Sequence, residues 1–433
     1  MSSKSQKIES WLDSEYQIRY NDVLFRPELL QKNIPENKNW IPLDDRMLSS
    51  LIRAIEKDIE IRPAKDMLYT ILESDFSKSF NPFHQFFYNM EVTPKDKIDA
   101  KNPCPTIAKL AETVKIVNVV KGKDMQSIFK NCLQLWLTAS VANVLNTDRC
   151  HNQTCLVLTG GQGAFKTTWL NNLYPTKYLT KSYLFCDEFN IKDKDTKKRL
   201  STMFIINIDD QLRDLNKQDA EILKTYISLP SVTMRLPYGK YDVEMPRIAN
   251  FLGSVNGNDF LTDSTGSRRY LPFQVESIKI KEAQEIDIRE VWREAYTMYK
   301  HSTRYWLSAE ETKEWFDGAE AFSVRSIEYE FLTTYFKPVA DQRNANKFLK
   351  TAQIMQYLKD KSRMDMNQKK LRDALAKAGF MEVSKRMEGY PHPQYFWALL
   401  EKTEFDVNLQ SVESEDVLDK LSKIRKHDLT TSF

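Results

Sequence analysis

The sequence predicts an α/β core over residues 101–305, set between a mainly helical N-terminal domain (1–100) and a helical, winged-helix-like C-terminal domain (306–405), with a polar tail over 406–433. Three observations predict it. Glycine is scarce, 11 in 433 residues, yet none precedes Gly122 and seven fall between Gly160 and Gly266, which marks a turn-rich middle between helical flanks. Within that middle, buried apolar runs alternate with helical patterns, as in a mostly parallel sheet. Toward the end, two helical patterns and a two-stranded hairpin follow one another in winged-helix order.

Asp44 to Ile59 reads as a helix with an acidic start and Met47, Leu51 and Ile55 on one stripe. A second helical run covers Pro63 to Leu72. The aromatic stretch Pro82–Met90 closes the region, and the proline-rich Thr93–Pro105 reads as a linker. Met125 to Leu145 is a long helix with Ile128, Cys132, Trp136 and Ala139 on its apolar stripe. Strands are predicted at Ser182–Cys186, Thr202–Asp210 and Ile248–Asn256, with a helix at Gln218–Ile227. Further on, Thr351 caps a helix that turns Ile354 and Leu358 inward. Asn367 caps the next one, Gly379 ends it, and Met381–Arg386 and Gln394–Leu399 flank a Gly-Tyr-Pro-His-Pro turn.

Composition narrows the classes. Hydrophobic residues make up 41% and aromatics 12%, enough for real cores. The 63 Lys and Arg against 60 Asp and Glu leave a net charge of only +3, so a nucleic-acid partner must be met by local patches. No apolar run approaches the roughly 18 residues that span a bilayer, and the N-terminus lacks the apolar core of a signal peptide. The five cysteines, odd in number and scattered, fit a reducing cytoplasm. Cys150, His151 and Cys155 offer three ligands where structural zinc takes four; they read as a trio without metal.

The chemistry concentrates in Thr154–Thr168, an apolar strand running into three glycines and then a helix. That order is the phosphate-binding loop of a nucleoside-triphosphatase. Main-chain N–H groups along Gly160, Gly161, Gln162, Gly163, Ala164, Phe165, Lys166, Thr167 and Thr168 cradle the phosphates, Lys166 bridges the outer ones, and the Thr167 hydroxyl ligates magnesium. ATP and Mg²⁺ are the cofactors this implies. Phe165 stands where such loops usually place glycine before the lysine, and is expected to distort the loop. Asp209 and Asp210 end a strand read as lying beside the loop, where one carboxylate holds magnesium and its neighbour orients the attacking water. Asn256 ends the next buried strand and can hydrogen-bond the water or the γ-phosphate. Arg268 and Arg269, on a short loop before Leu-Pro-Phe, suit stabilisation of charge on the transferring phosphate, reached from an adjacent subunit. Lys369, Lys370, Arg372 and Lys377 on the last helix, with Lys385 and Arg386 on the hairpin, could meet duplex DNA at its phosphates; a solvated basic face is the plainer alternative.

These stretches resemble the virulence-associated E family, P-loop ATPases of phages and mobile elements related to superfamily 3 helicases within the AAA+ group. The resemblance is carried by Gly160–Thr168, Ile208–Asp210, Leu223–Ser228, Met234–Gly239, Pro246–Asn256 and Leu261–Tyr270, and is good over roughly 100 to 300. It implies an ATP-driven hexameric ring that grips single-stranded DNA during replication of a mobile element. Lys166 and Thr167 then take Walker A roles, Asp209 and Asp210 Walker B roles, Asn256 the sensor role, and Arg268 or Arg269 the arginine finger. The segment through Lys224, Arg235 and Lys240 matches the part that faces the pore in related helicases. No primase domain is recognisable upstream, which leaves priming to a separate protein. Two other classes fit the residues: a nucleotide-gated scaffold or defence switch that moves no DNA, and a P-loop kinase with the arginine loop as a lid.

Overall fold

The structure is a computed structural model that describes residues 3–33, 40–118, 123–213, 215, 217–235, 241–257, 269–308, 310–312, 326–386 and 392–403. The chain divides into two compact units, residues 1–323 and 324–433.

The first unit begins with helix α1 (Lys4–Glu15), whose Ser3–Gln6 capping box satisfies its first N–H groups. Strands β1 (Tyr16–Asn21), β2 (Arg26–Gln31) and β3 (Ile41–Pro42) follow, then α2 (Asp45–Ile59), α3 (Lys65–Leu72), β4 (Lys78–Phe80) and α4 (Pro82–Tyr88). The strands form a four-stranded sheet in the order β3-β2-β1-β4, against which Ile8, Leu12, Leu48, Leu51, Ile55, Leu68 and Leu72 are buried. Beside its helices, the N-terminal region thus holds a four-stranded sheet that the sequence does not announce. The hairpin escapes the sequence because its turn contains no glycine; Phe25 takes the left-handed φ of 54° that Gly or Asn normally signals.

The centre of the unit comprises α5 (Pro105–Glu112), β5 (Val114–Ile116), α6 (Met125–Leu145), β6 (Cys155–Gly160), α7 (Lys166–Asn172), β7 (Leu184–Phe185), α8 (Lys194–Thr202) and β8 (Ile205–Asp209). After these come α9 (Lys217–Ser228), the hairpin β9 (Ser231–Arg235) and β10 (Asp242–Pro246), then β11 (Asn250–Asn256), β12 (Tyr270–Ile278), α10 (Ile280–Glu285) and α11 (Ile288–Lys300). Six strands pair in the order β5-β12-β6-β11-β8-β7; the five from β12 to β7 are parallel and β5 is antiparallel to β12. Successive side chains of β6 serve opposite faces: Leu156 and Leu158 join one core with Phe129, Trp136, Trp169 and Phe273, while Cys155 and Val157 join another with Leu200, Leu223 and Phe251. A strand apolar on both faces belongs to a sheet covered by helices on both sides. The aromatic α4 is part of the first core, with Phe83 and Phe87 ring-to-ring with Phe204 at 5.2 and 6.4 Å.

The second unit runs α12 (Ile327–Tyr335), β13 (Phe336–Pro338), β14 (Lys347–Leu349), α13 (Thr351–Ser362), α14 (Gln368–Lys377), β15 (Met381–Lys385) and β16 (Gln394–Glu401). All three other strands pair antiparallel with β16. Leu332, Ile354, Leu358, Leu371, Leu375 and Trp397 fill its core. The helix expected to be capped by Thr351 has Lys350 in the cap position and Thr351 as its first residue, and the Thr351 hydroxyl accepts instead from the Trp397 indole at 3.0 Å. No described helix is long and apolar enough to cross a membrane.

Candidate functional site at the carboxyl ends of the parallel strands

Register places the key residues together. Across the ladder Gly160 of β6 faces Asn256 of β11, and Ser254 of β11 faces Asp209 of β8. All lie at the carboxyl ends of parallel strands, where open α/β sheets form their ligand crevices. The strand ending in Asp209 was expected beside the loop strand. Instead β11 stands between them, and Asp209 reaches the loop's helix across it: Thr167 Oγ1 donates to Asp209 Oδ1 at 2.6 Å. The hydroxyl of Ser254 donates to the same oxygen.

Lys166 is only 6% exposed. Its Nζ donates to the carbonyls of Gly160 (3.1 Å) and Gly161 (2.7 Å) and to Asn256 Oδ1 (3.1 Å). Asn256 in turn donates its Nδ2 to Asp210 Oδ2 at 2.7 Å and its main-chain N–H to Asp210 Oδ1 at 3.0 Å. An amide held between an ammonium and a carboxylate has one sensible orientation, oxygen to the cation and nitrogen to the anion. Asp210 thus fixes Asn256, and Asn256 helps to fix Lys166. Burial pulls the Lys166 pKa below its ordinary value, with the charges of Asp210 and Asp209 opposing that shift. Asp210 holds this position with a left-handed φ of 52°, which Asp tolerates better than most residues.

Gln162, Gly161, Gly163, Phe165 and Thr168 are exposed and Ala164 half-buried. The loop keeps its turn and its helix despite Phe165, which adopts φ 59° and leaves its ring 54% exposed. Phe165→Gly should remove a left-handed cost of about 1–2 kcal/mol and add back about 0.4–1 kcal/mol of chain entropy. A thermal unfolding comparison should show unchanged or slightly higher stability; a clear loss would mean the ring packs on something that matters.

The oxygen-only donors Thr167 Oγ1, Asp209 and Ser254 Oγ suit a hard cation such as Mg²⁺, which takes few protein ligands and keeps water or phosphate for the rest. No cluster of three or more His, Cys, Asp or Glu able to hold a metal occurs among the described residues. Cys150, His151 and Cys155 do not converge. Cys150 Sγ meets the buried Arg247 guanidinium at 2.6 Å, His151 bridges Asp148 and Tyr305 at 2.8 and 2.7 Å, and Cys155 is sealed in β6.

Arg269 lies at the other end of the sheet. It precedes Tyr270, which is in register with Cys155, five residues before Gly160. At about 3.3 Å per residue that is about 17 Å from the loop, beyond one side chain's reach. Lys224, expected among DNA-facing cations, is buried and pairs with Glu221 at 2.8 Å, since α9 turns that side inward. Arg235 ends β9 on an exposed position, and Lys369, Lys370, Arg372 and Lys377 are exposed on α14, Arg372 lying 3.8 Å from Glu382. Arg268, Lys240 and the side chain of Lys385 lie outside the described residues. Ser254 was missed by sequence reasoning. Its signal was available, two residues before Asn256 on a strand and therefore on the same face.

The solved structures similar to this chain include the apo structure of the NrS-1 C-terminal region (305–718), at 13% identity and a TM-score of 0.49, covering 92% of this chain and all of that one. The A form apo structure of the same region is similar at 13% identity and a TM-score of 0.46, covering 92% of this chain and 99% of that one. No curated protein matches. The model of the virulence-associated protein E-like domain matches residues 107–323, from α5 to the end of the first unit. With 217 of its 433 residues in that match, the chain belongs to the virulence-associated protein E-like family.

Proposed function

We propose that the chain is an ATP-hydrolysing, helicase-like DNA translocase that serves replication of a phage or mobile element and works as a homo-oligomeric ring. The observation that carries this reading is the convergence of Lys166, Thr167, Asp209, Asp210 and Asn256 at one end of three parallel strands. Lys166 would exchange its carbonyl partners for phosphate oxygens. Thr167 and Asp209 would hold Mg²⁺, which supplies neutralisation of charge on the phosphates. Asp210 and Asn256 would hold the attacking water, with Asn256 carrying the position of the Lys166 ammonium to the carboxylate.

Placement of Arg269 at the amino ends of the strands favours action on a neighbour's site, and argues against a lid over the loop of the same subunit. The exposed cations of α14, followed by the β15–β16 hairpin, support a winged-helix contact with duplex DNA through phosphates.

Turnover measured with and without single-stranded DNA tests the reading. DNA should raise it; an unchanged rate would favour a nucleotide-gated scaffold. Mixing Lys166→Ala subunits with Arg268→Ala/Arg269→Ala subunits should restore part of the activity that each lacks alone. Failure at every ratio would remove the arginines from the interface.

A further inference from the structure

A cavity of about 520 Å³ opens at the amino ends of the parallel strands, in the same unit as the glycine loop but at the opposite end of β6. Its walls come from α6, residues 149–154, the start of β12 and residues 305–312. Two features point to its occupant. Arg149, Arg269 and His151 line it, and no carboxylate does among the described residues. Asp148, which would oppose that charge, is held by His151 and sits a loose 3.8 Å from Arg149; both members of that second pair are about two-thirds exposed, so the pair is weak.

Aromatic surface is the second feature. Tyr305 and Trp306 stand edge-to-face at 5.2 Å, Trp306 is 57% exposed, and the His151–Tyr305 hydrogen bond anchors the pair to the 149–154 segment. Trp136 lines the cavity from α6 and is 1% exposed, so it closes the floor as apolar ring surface.

A cavity of this size holds a ligand of nucleotide dimensions. Cations and π-faces together match a planar heterocycle bearing a phosphate. We infer that this cavity is a second binding site, which takes one nucleotide unit with its base against the aromatic wall and its phosphate at Arg149. It does not depend on the glycine loop binding anything.

The test uses the full chain carrying Lys166→Ala, titrated with a fluorescent ATP analogue and, separately, with a labelled oligothymidylate. Saturable binding of at least one probe should remain. Adding Arg149→Ala should weaken it at least about tenfold, and Trp306→Ala about five- to a hundredfold. Both residues are exposed, so their replacement should leave thermal unfolding unchanged. Binding of the mononucleotide would identify a free nucleotide as the occupant; binding of the oligonucleotide alone would identify a unit of a single strand. Loss of all binding with Lys166→Ala, or residual binding indifferent to both further substitutions, would overturn the inference. Hydrolysis surviving Lys166→Ala would instead remove the proposed function and leave this site standing.

Discussion

Lys166→Ala is expected to lower ATP turnover by about 10²–10³-fold, the cost of removing one preorganised charged donor from developing phosphate charge. The ammonium is already positioned by two loop carbonyls and Asn256, so nothing else in the site can replace it. Because burial pulls its folded-state pKa below 10.5, the folded chain disfavours the charged form. That unfavourable contribution to stability is present at pH values below the lowered pKa and fades as pH rises from there toward the unfolded value. Removing the amine should therefore leave thermal stability equal or higher, which separates lost chemistry from lost folding. A phosphate would raise the pKa again, so nucleotide affinity should fall as pH rises through the lowered value. Calorimetric titration across that range checks it: the wild type should show the fall and proton uptake on binding, the variant neither. A variant that unfolds earlier than the wild type would sink the argument.

The same residues show how far the site was legible. Strand, glycine loop and helix are contiguous in sequence, so local composition suffices to find Gly160–Thr168. Asp209, Asp210 and Asn256 were found because each follows a short apolar strand, and parallel strands under helices all end on one side. Strand order is different in kind. Insertion of β11 between β6 and β8 is decided by pairing over long separations, and no residue announces it. Hence Asp209 was assigned to a neighbouring strand, and Ser254, which shares Asp209 with Thr167, went unnoticed.

Turn chemistry explains the other misses. Phe25 and Phe165 adopt left-handed backbone angles without the glycine or asparagine that would have signalled them. At Phe25 this hid a hairpin in a region read as helical. At Phe165 it raised an expectation of distortion that the exposed ring does not bring about. Lys224 shows the limit of counting cations: its place on α9 looked available, while burial and Glu221 take it up. The cavity beside Arg149 was invisible because its walls come from four separate segments spread between Cys132 and Thr312.

Alanine at the three loop glycines should separate folding from nucleotide binding. Gly160 has φ 138°, and a Cβ there would lie 2.9 Å from the carbonyl oxygen of Val275, closer than real Cβ contacts come. Val275 is main chain in β12, which is paired to β6 on one side and β5 on the other, so it cannot swing aside as a side chain would. Strain of about 1–3 kcal/mol and overpacking of about 1–3 kcal/mol add, and Gly160→Ala should cost about 3 kcal/mol or more. It should also disturb the carbonyl that accepts from Lys166 and from the Gly257 N–H. Gly163 has φ 81° with open space around it, so alanine there meets backbone strain alone, about 1 kcal/mol. Gly161 has neither a restrictive φ nor a neighbour within 4 Å, and its alanine variant should fall within about 0.5 kcal/mol of wild type. Nucleotide affinity should rank differently, because a methyl group at exposed Gly161 stands where the loop's amides would approach phosphate. Urea unfolding and nucleotide titration of the three variants give both orders. A Gly160→Ala protein as stable as Gly161→Ala would show that the β6–β12 contact is looser than the register requires, and the geometry built on Gly160 would fall with it.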